Sequence, residues 1–231
     1  MNAQKLSKRL AKVASYVPTG AVVADIGSDH AYLPCYLVHN DIASHAIAGE
    51  VVKGPYESAV RQVRTEGLSD KIEVRLADGL AAVEEKDHVD TITICGMGGP
   101  LIVSILTKNP ESLKHATRLI LQPNIHAKVI REWALANMWA IQDEEIIEED
   151  GKIYEILVLQ RGTMALTEAE ILLGSKLMAN KNEVFVEKWK REVANWQRIL
   201  TSIETAEPSE EIVAKRQELQ HLIALVQEAI A

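Results

Sequence analysis

From Ala21 to Gln160 the chain alternates short apolar, β-rich runs with helix-patterned stretches, and that alternation leaves few folds open. The apolar runs fall at 21–26, 45–49, 71–76, 89–95, 116–121, 139–147 and 153–160. Helical spacing fills most of the gaps, near 31–39, 53–67, 99–108 and 126–137. Such alternation predicts a largely parallel sheet with helices on both faces. The last two runs are joined only by Glu148-Glu149-Asp150-Gly151-Lys152, too short for a crossover helix. They are expected to form an antiparallel hairpin at one edge of the sheet.

The flanks are helical. Residues 3–16 have Leu6, Leu10, Val13 and Val17 near helical spacing, which predicts a short amphipathic helix. After Leu166 strand signals vanish. Leu172, Leu173, Leu177 and Met178 suggest one short helix. A longer stripe, from Val184 and Phe185 through Trp189, Val193 and Trp196 to Ile203, precedes a break at Pro208-Ser209. Ser209, Glu210 and Glu211 look like a helix start, and Ile212, Leu219, Leu222, Ile223, Val226 and Ile230 give a return stripe. The expected organisation is a sheet domain over 1–162 and an α-helical hairpin, coiled-coil-like, over 163–231.

Composition narrows the function classes. At 231 residues with 47% hydrophobic side chains, the chain buries one sizeable core plus a small appendage. No apolar run is long enough to span a membrane, and no apolar signal stretch follows the N-terminal basic residues. A cytoplasmic location is expected. Cys35 and Cys95 lack metal-like spacing and the seven histidines are scattered, so a reduced pair and no metal site are expected. The net charge of −8 argues against nucleic acid at first sight, yet the charge is uneven. Lys5, Lys8, Arg9 and Lys12 face no acid in the first twenty positions. Lys176, Lys181, Lys188, Lys190, Arg191 and Arg198 form a second basic group, and acid concentrates at Asp143–Asp150. Local potential matters more than the total for steering a partner.

The richest segment is residues 21–34, AVVADIGSDHAYLP. A buried strand feeding a glycine turn and then a helix opens a doubly wound nucleotide-binding sheet. In G-x-G-x-x-G the glycines let the backbone approach a pyrophosphate. This turn has one glycine, Gly27, and two carboxylates, Asp25 and Asp29. A diphosphate would meet like charge there, whereas a cationic cofactor meets opposite charge. S-adenosylmethionine, with its sulfonium and ammonium, is such a cofactor. Together with the edge hairpin, this predicts a Rossmann-like class I methyltransferase sheet, mostly parallel.

Three phrases carry a family resemblance: Asp25-Ile26-Gly27-Ser28-Asp29-His30-Ala31-Tyr32-Leu33-Pro34, Ile94-Cys95-Gly96-Met97-Gly98-Gly99 and Leu121-Gln122-Pro123-Asn124. In order and spacing they closely resemble the bacterial tRNA (adenine-N1)-methyltransferases that modify position 22 of tRNA. The likeness runs from about Lys5 to the C-terminus. It implies S-adenosylmethionine as cofactor, tRNA as partner, and a monomer or weak homodimer. Asp29 and Ala31 stand where the usual methyltransferase turn has glycine, but they suit this family's own phrase.

Site residues follow from position and resemblance together. Asp25 either holds the methionine ammonium or caps the next helix. Glu50, twenty-three positions after Gly27, can accept from both ribose hydroxyls, as in any adenosine-cofactor fold. Asp78 is a candidate acceptor for the adenine amino group, against a plain Asp-Gly turn with Gly79. Gly27, Ser28, His30, Gly79, Gly96, Met97 and Gly98 complete the expected cofactor set. Asp29 caps the helix, contacts the cofactor tail or faces the methyl acceptor. Asn124, after Pro123, either reads the target base, as asparagine reads adenine generally, or caps a helix. Arg131 either touches phosphate or is solvated, and Tyr32 and Tyr154 either stack a base or fill the core. The implied reaction is an in-line displacement by adenine N1, which already owns a lone pair and requires no strong base. The alternatives are an NAD-linked oxidoreductase and a non-catalytic cofactor-binding or RNA-scaffolding protein.

Overall fold

The computed structural model describes residues 2–204 and 209–231, in two compact units, Met1–Ala165 and Leu166–Ala231. Pro208, expected to break the chain, lies outside the described residues. Among the described residues no helix is long and apolar enough to cross a membrane.

The first unit is a seven-stranded sheet. Its strands are β1 (Ala21–Ile26), β2 (Ala43–Glu50), β3 (Ile72–Leu76), β4 (Thr91–Gly98), β5 (Arg118–Ile125), β6 (Trp139–Glu149) and β7 (Lys152–Arg161). They run in the order β3-β2-β1-β4-β5-β7-β6. The pairs among the first five are parallel; β7 is antiparallel to both β5 and β6. The hairpin therefore closes the edge, as the short linker predicts. Continuous burial of Ile92 and Ile94 on β4 and of Leu119, Ile120 and Leu121 on β5 explains why these strands read as unbroken apolar runs.

Helices α1 (Lys8–Ser15), α2 (Tyr32–His39) and α3 (Lys53–Thr65) share one buried cluster with Val23, Ala46, Ile120 and Val158 of the sheet. Helices α4 (Gly99–Lys108) and α5 (Ala127–Ala136) pack against each other. Strand growth runs outward from β1 to β3, then restarts at β4 beyond β1. Right-handed crossovers on either side of that restart put their helices on opposite faces, which opens a crevice at the carboxyl ends of β1 and β4.

Three local features differ from the sequence expectation. The N-terminal helix begins at Lys8, since Asn2 Oδ1 accepts from Gln4 N (3.1 Å) and Lys5 N (2.7 Å) and holds those residues in a turn. Ser7 then caps α1 by accepting from Leu10 N at 3.2 Å. Second, Arg131 is neither solvated nor available to phosphate. It is fully buried, with Nε 2.7 Å from Glu144 and Nη2 2.5 Å from Glu155, and so fastens α5 to the edge hairpin. Third, the single helix expected near 172–178 is two, α6 (Glu168–Leu173) and α7 (Ser175–Asn180), parted by Gly174 at φ +96°.

The second unit continues with α8 (Glu183–Glu204) and α9 (Glu210–Ile230), which pack together. Phe185, Trp189 and Val193 are buried on α8, as are Leu219, Ile223, Val226 and Ala229 on α9.

Candidate active site

The crevice is floored by the β1–α2 turn. Gly27 N and Ser28 N both donate to Gly49 O, at 2.9 and 3.2 Å, which ties the turn to the end of β2. Gly27 has φ +73°, and a Cβ there would lie 2.1 Å from Met97 Cε, so the bare backbone makes room for Met97 from the next strand. Asp29 and Ala31 have φ of 55° and 54°. The two positions where the usual methyltransferase turn carries glycine are thus left-handed in this chain. Aspartate tolerates that conformation by local hydrogen bonding; alanine does not, and is held by tertiary packing.

Asp25 is 4% exposed. Thr93 Oγ1 and Ser28 Oγ each donate to it at 2.6 Å. Its carboxyl is raised above the ordinary carboxylate range, first by burial and further by the Glu50 charge, while the two hydroxyls and Arg9 pull the other way. Glu50, also buried, accepts from the Asp29 amide through Oε1 and so supports the left-handed turn from the neighbouring strand. His30 sits beside Ser58 (Nδ1 to Oγ 2.6 Å) and stacks on Tyr32 at 5.2 Å. Asp78 is exposed at the β3 end and ion-paired with Lys108 through Oδ2.

The β4 and β5 ends form the other wall. Gly96 takes φ +76°. Gly99 starts α4 where a Cβ would lie 2.2 Å from the His126 carbonyl oxygen, so it serves close packing. The Cys95 thiol is pushed far up by desolvation and by the Asp25 charge, which disfavours a thiolate there. Asn124 is exposed and donates through Nδ2 to Gly96 O at 2.7 Å; it does not cap α5, which has no side-chain cap. Gln122, Thr93 and Arg9 are the site residues that sequence reasoning passes over. A polar residue inside an apolar strand was the available signal for the first two. Gln122 is fully buried, and its Oε1 accepts from Gly96 N at 2.9 Å and from Arg9 Nη1. Arg9 arrives from α1 and lies 5.4 Å over the Tyr154 ring.

The structure thus brings Asp25, Ser28, Asp29 and Glu50 together at one wall of the crevice, and Gly96 and Asn124 at the other. Residues 23–228 match the TrmK family, tRNA (adenine(22)-N(1))-methyltransferase. The chain belongs to this family. It is 49% identical over 236 residues to the tRNA (adenine(22)-N(1))-methyltransferase of Bacillus subtilis, covering 100% of this chain and 99% of that one. It superimposes on Sp1610 of Streptococcus pneumoniae, solved in complex with S-adenosyl-L-methionine, with TM-score 0.90 and 44% identity over 98% of this chain and 100% of that one. It matches M. capricolum TrmK, solved with S-adenosyl-homocysteine, with TM-score 0.87 and 32% identity over 97% of each chain. Membership of the tRNA (adenine(22)-N(1))-methyltransferase family sets aside the oxidoreductase alternative.

Proposed function

We infer that this chain is an S-adenosylmethionine-dependent methyltransferase acting on N1 of adenine 22 in tRNA. The family match across both units is the observation that carries this. The residues present fit the cofactor: an anionic wall with a buried carboxylate suits a cationic tail, and Gly27 lets the chain turn at the strand end. When bound, S-adenosylmethionine supplies an electrophilic methyl group to the N1 lone pair, and the electron pair of the broken S–C bond stays on sulfur.

Asp25 is assigned to the methionine ammonium. Glu50, with Oε1 spent on the Asp29 amide, offers Oε2 to the ribose hydroxyls. Asp78 offers Oδ1 to the adenine amino group while Oδ2 holds Lys108. Gly27, Ser28, His30, Gly79, Gly96, Met97 and Gly98 line the cofactor. Asn124 holds the acceptor base, and Asp29 stabilises the positive charge that develops on the purine. Orientation is the main catalytic device, with a ceiling of roughly 7–11 kcal/mol for reacting groups held in near-attack geometry. Residues 1–162 are assigned to cofactor binding and chemistry, and residues 163–231 to seating tRNA. Under this reading the protein works in the cytoplasm without a metal, as a monomer or weak homodimer.

The test is methyl transfer from labelled S-adenosylmethionine to unmodified tRNA, with the modified position mapped by primer extension. Label is expected at adenine 22 and is expected to vanish when that adenine is replaced by guanine. Cofactor binding without transfer would support the scaffolding alternative instead.

A further inference from the structure

The hydrogen bonds around Gly96 settle which way two side-chain amides face. Gly96 N–H and the Arg9 guanidinium can only donate, so the Gln122 atom that meets both is its oxygen. The Pro123 carbonyl can only accept, so the Gln122 atom 2.8 Å from it is Nε2. Gly96 O likewise can only accept, so the Asn124 atom 2.7 Å away is Nδ2. Asn124 Oδ1 is left facing Gln122 Nε2 at 3.5 Å. Main-chain groups and one cation therefore dictate the orientation of Gln122, and Gln122 with Gly96 dictates that of Asn124. Asn124 keeps one Nδ2 hydrogen and an Oδ1 lone pair, and it is exposed.

One donor beside one acceptor matches two edges of adenine: N6–H with N1, or N6–H with N7. The first edge spends the N1 lone pair on a hydrogen bond and blocks its methylation. Only the second leaves N1 bare. Building on the assignment of Asn124 to the acceptor base, we propose that Asn124 takes the N6/N7 edge of the target adenine. Gln122, braced by Arg9, is the positioning residue that holds the asparagine amide the right way round. Gln122 is fully buried and never touches the base.

The probe is tRNA carrying 7-deazaadenosine at position 22, which replaces the N7 acceptor with C–H. The readout is the ratio of kcat/KM for the adenosine tRNA to that for the deaza tRNA. Because ring substitution also changes N1 reactivity, each ratio is referred to that of Asn124→Ala. The wild type is expected to favour adenosine about tenfold more than Asn124→Ala does, the worth of one hydrogen bond. Gln122→Glu keeps the acceptor for Gly96 and Arg9 but replaces the Nε2 donor that bonds Pro123 O and faces Asn124 Oδ1, so the asparagine amide loses the group that orients its oxygen. Its ratio is expected to fall toward that of Asn124→Ala with S-adenosylmethionine affinity unchanged; the buried charge lowers Tm, which by itself leaves the ratio alone. Arg9→Met, which removes one of the two donors to Gln122 Oε1, is a second variant that leaves Gln122 in place, and its ratio is expected to fall part of the way. General damage to the fold lowers both rates together and leaves the ratio alone. Equal ratios for wild type and Asn124→Ala, with Asn124→Ala impaired on both substrates, overturn the edge assignment. A wild-type ratio in both Gln122→Glu and Arg9→Met overturns the positioning role. Undiminished transfer by Asn124→Ala overturns the assignment of Asn124 to the base itself.

Discussion

Asp25 carries opposite obligations. It is buried beside Glu50, and desolvation raises its carboxyl above the ordinary range. Between the unfolded value, about 3.9, and the raised folded value, the native state holds a proton that the unfolded chain has lost. Stability of the cofactor-free protein is therefore expected to fall as pH rises through that window. Asp25→Asn should remove this fall and leave the variant as stable as the wild type, or more so, near neutral pH. Thermal melts across a pH series check it. Cofactor binding has the opposite sign, because the ammonium needs the charged carboxylate. Affinity for S-adenosylmethionine should rise with pH over the same window and drop at least thirtyfold in Asp25→Asn, as for a buried charge contact of roughly 2–5 kcal/mol. Calorimetry giving wild-type affinity for that variant would take Asp25 out of the site.

At the scale of elements, the N-terminal helix changes meaning once folded. In sequence its cations look available to an RNA; in the structure α1 lies on the acidic edge strand β6. Lys12 pairs with Glu145 at 3.2 Å, Lys8 Nζ donates to Glu148 O at 3.0 Å, and Glu149 accepts from the Lys8 and Arg9 amides at the helix N-terminus. The basic helix thus docks on the acidic strand through one ion pair and several hydrogen bonds, and the docking carries Arg9 to Gln122. Glu149→Ala removes that helix cap and is expected to cost about 1–2 kcal/mol. Lys12→Ala should cost no more than about 1 kcal/mol, since the pair is partly exposed. Neither Lys8→Ala nor Lys12→Ala should change the salt dependence of tRNA binding. A slope reduced by about one unit in either variant would return that lysine to the RNA-facing surface.

For the whole molecule, the proposed seating of tRNA on the helical unit rests on that unit's cations. Lys181 and Lys190 are exposed, while Arg191 is paired with Glu187 at 2.7 Å and Lys188 lies over the Trp189 ring at 4.5 Å. Truncation after Ala165, the end of the first compact unit, keeps Met164, whose Sδ lies 3.1 Å from Ile141 N on β6. The 1–165 fragment is expected to fold and bind S-adenosylmethionine. If three cations of the removed segment engage tRNA, its salt slope should flatten by roughly two to three units. A folded fragment with the full chain's tRNA affinity and slope would strip the helical unit of that role.

Local chemistry was legible in the chain itself. Central strands buried on both faces must be apolar throughout, so β4 and β5 announced themselves. A five-residue linker admits only a hairpin. A carboxylate-rich turn with one glycine discriminates between cofactor charges without any knowledge of tertiary contacts. Convergence was not legible. Arg9 meets Gln122 across 113 positions and Lys8 meets Glu148 across 140. These partners are chosen by strand order, which inserts β7 between β5 and β6 and lays α1 along the outer strand. The sequence by itself determined the sheet, its hairpin edge and the acidic turn after β1, because each depends on neighbours in the chain. Only the tertiary structure decided which polar side chains brace Asn124 and which cations are spent on packing, because long-range pairing is settled by topology.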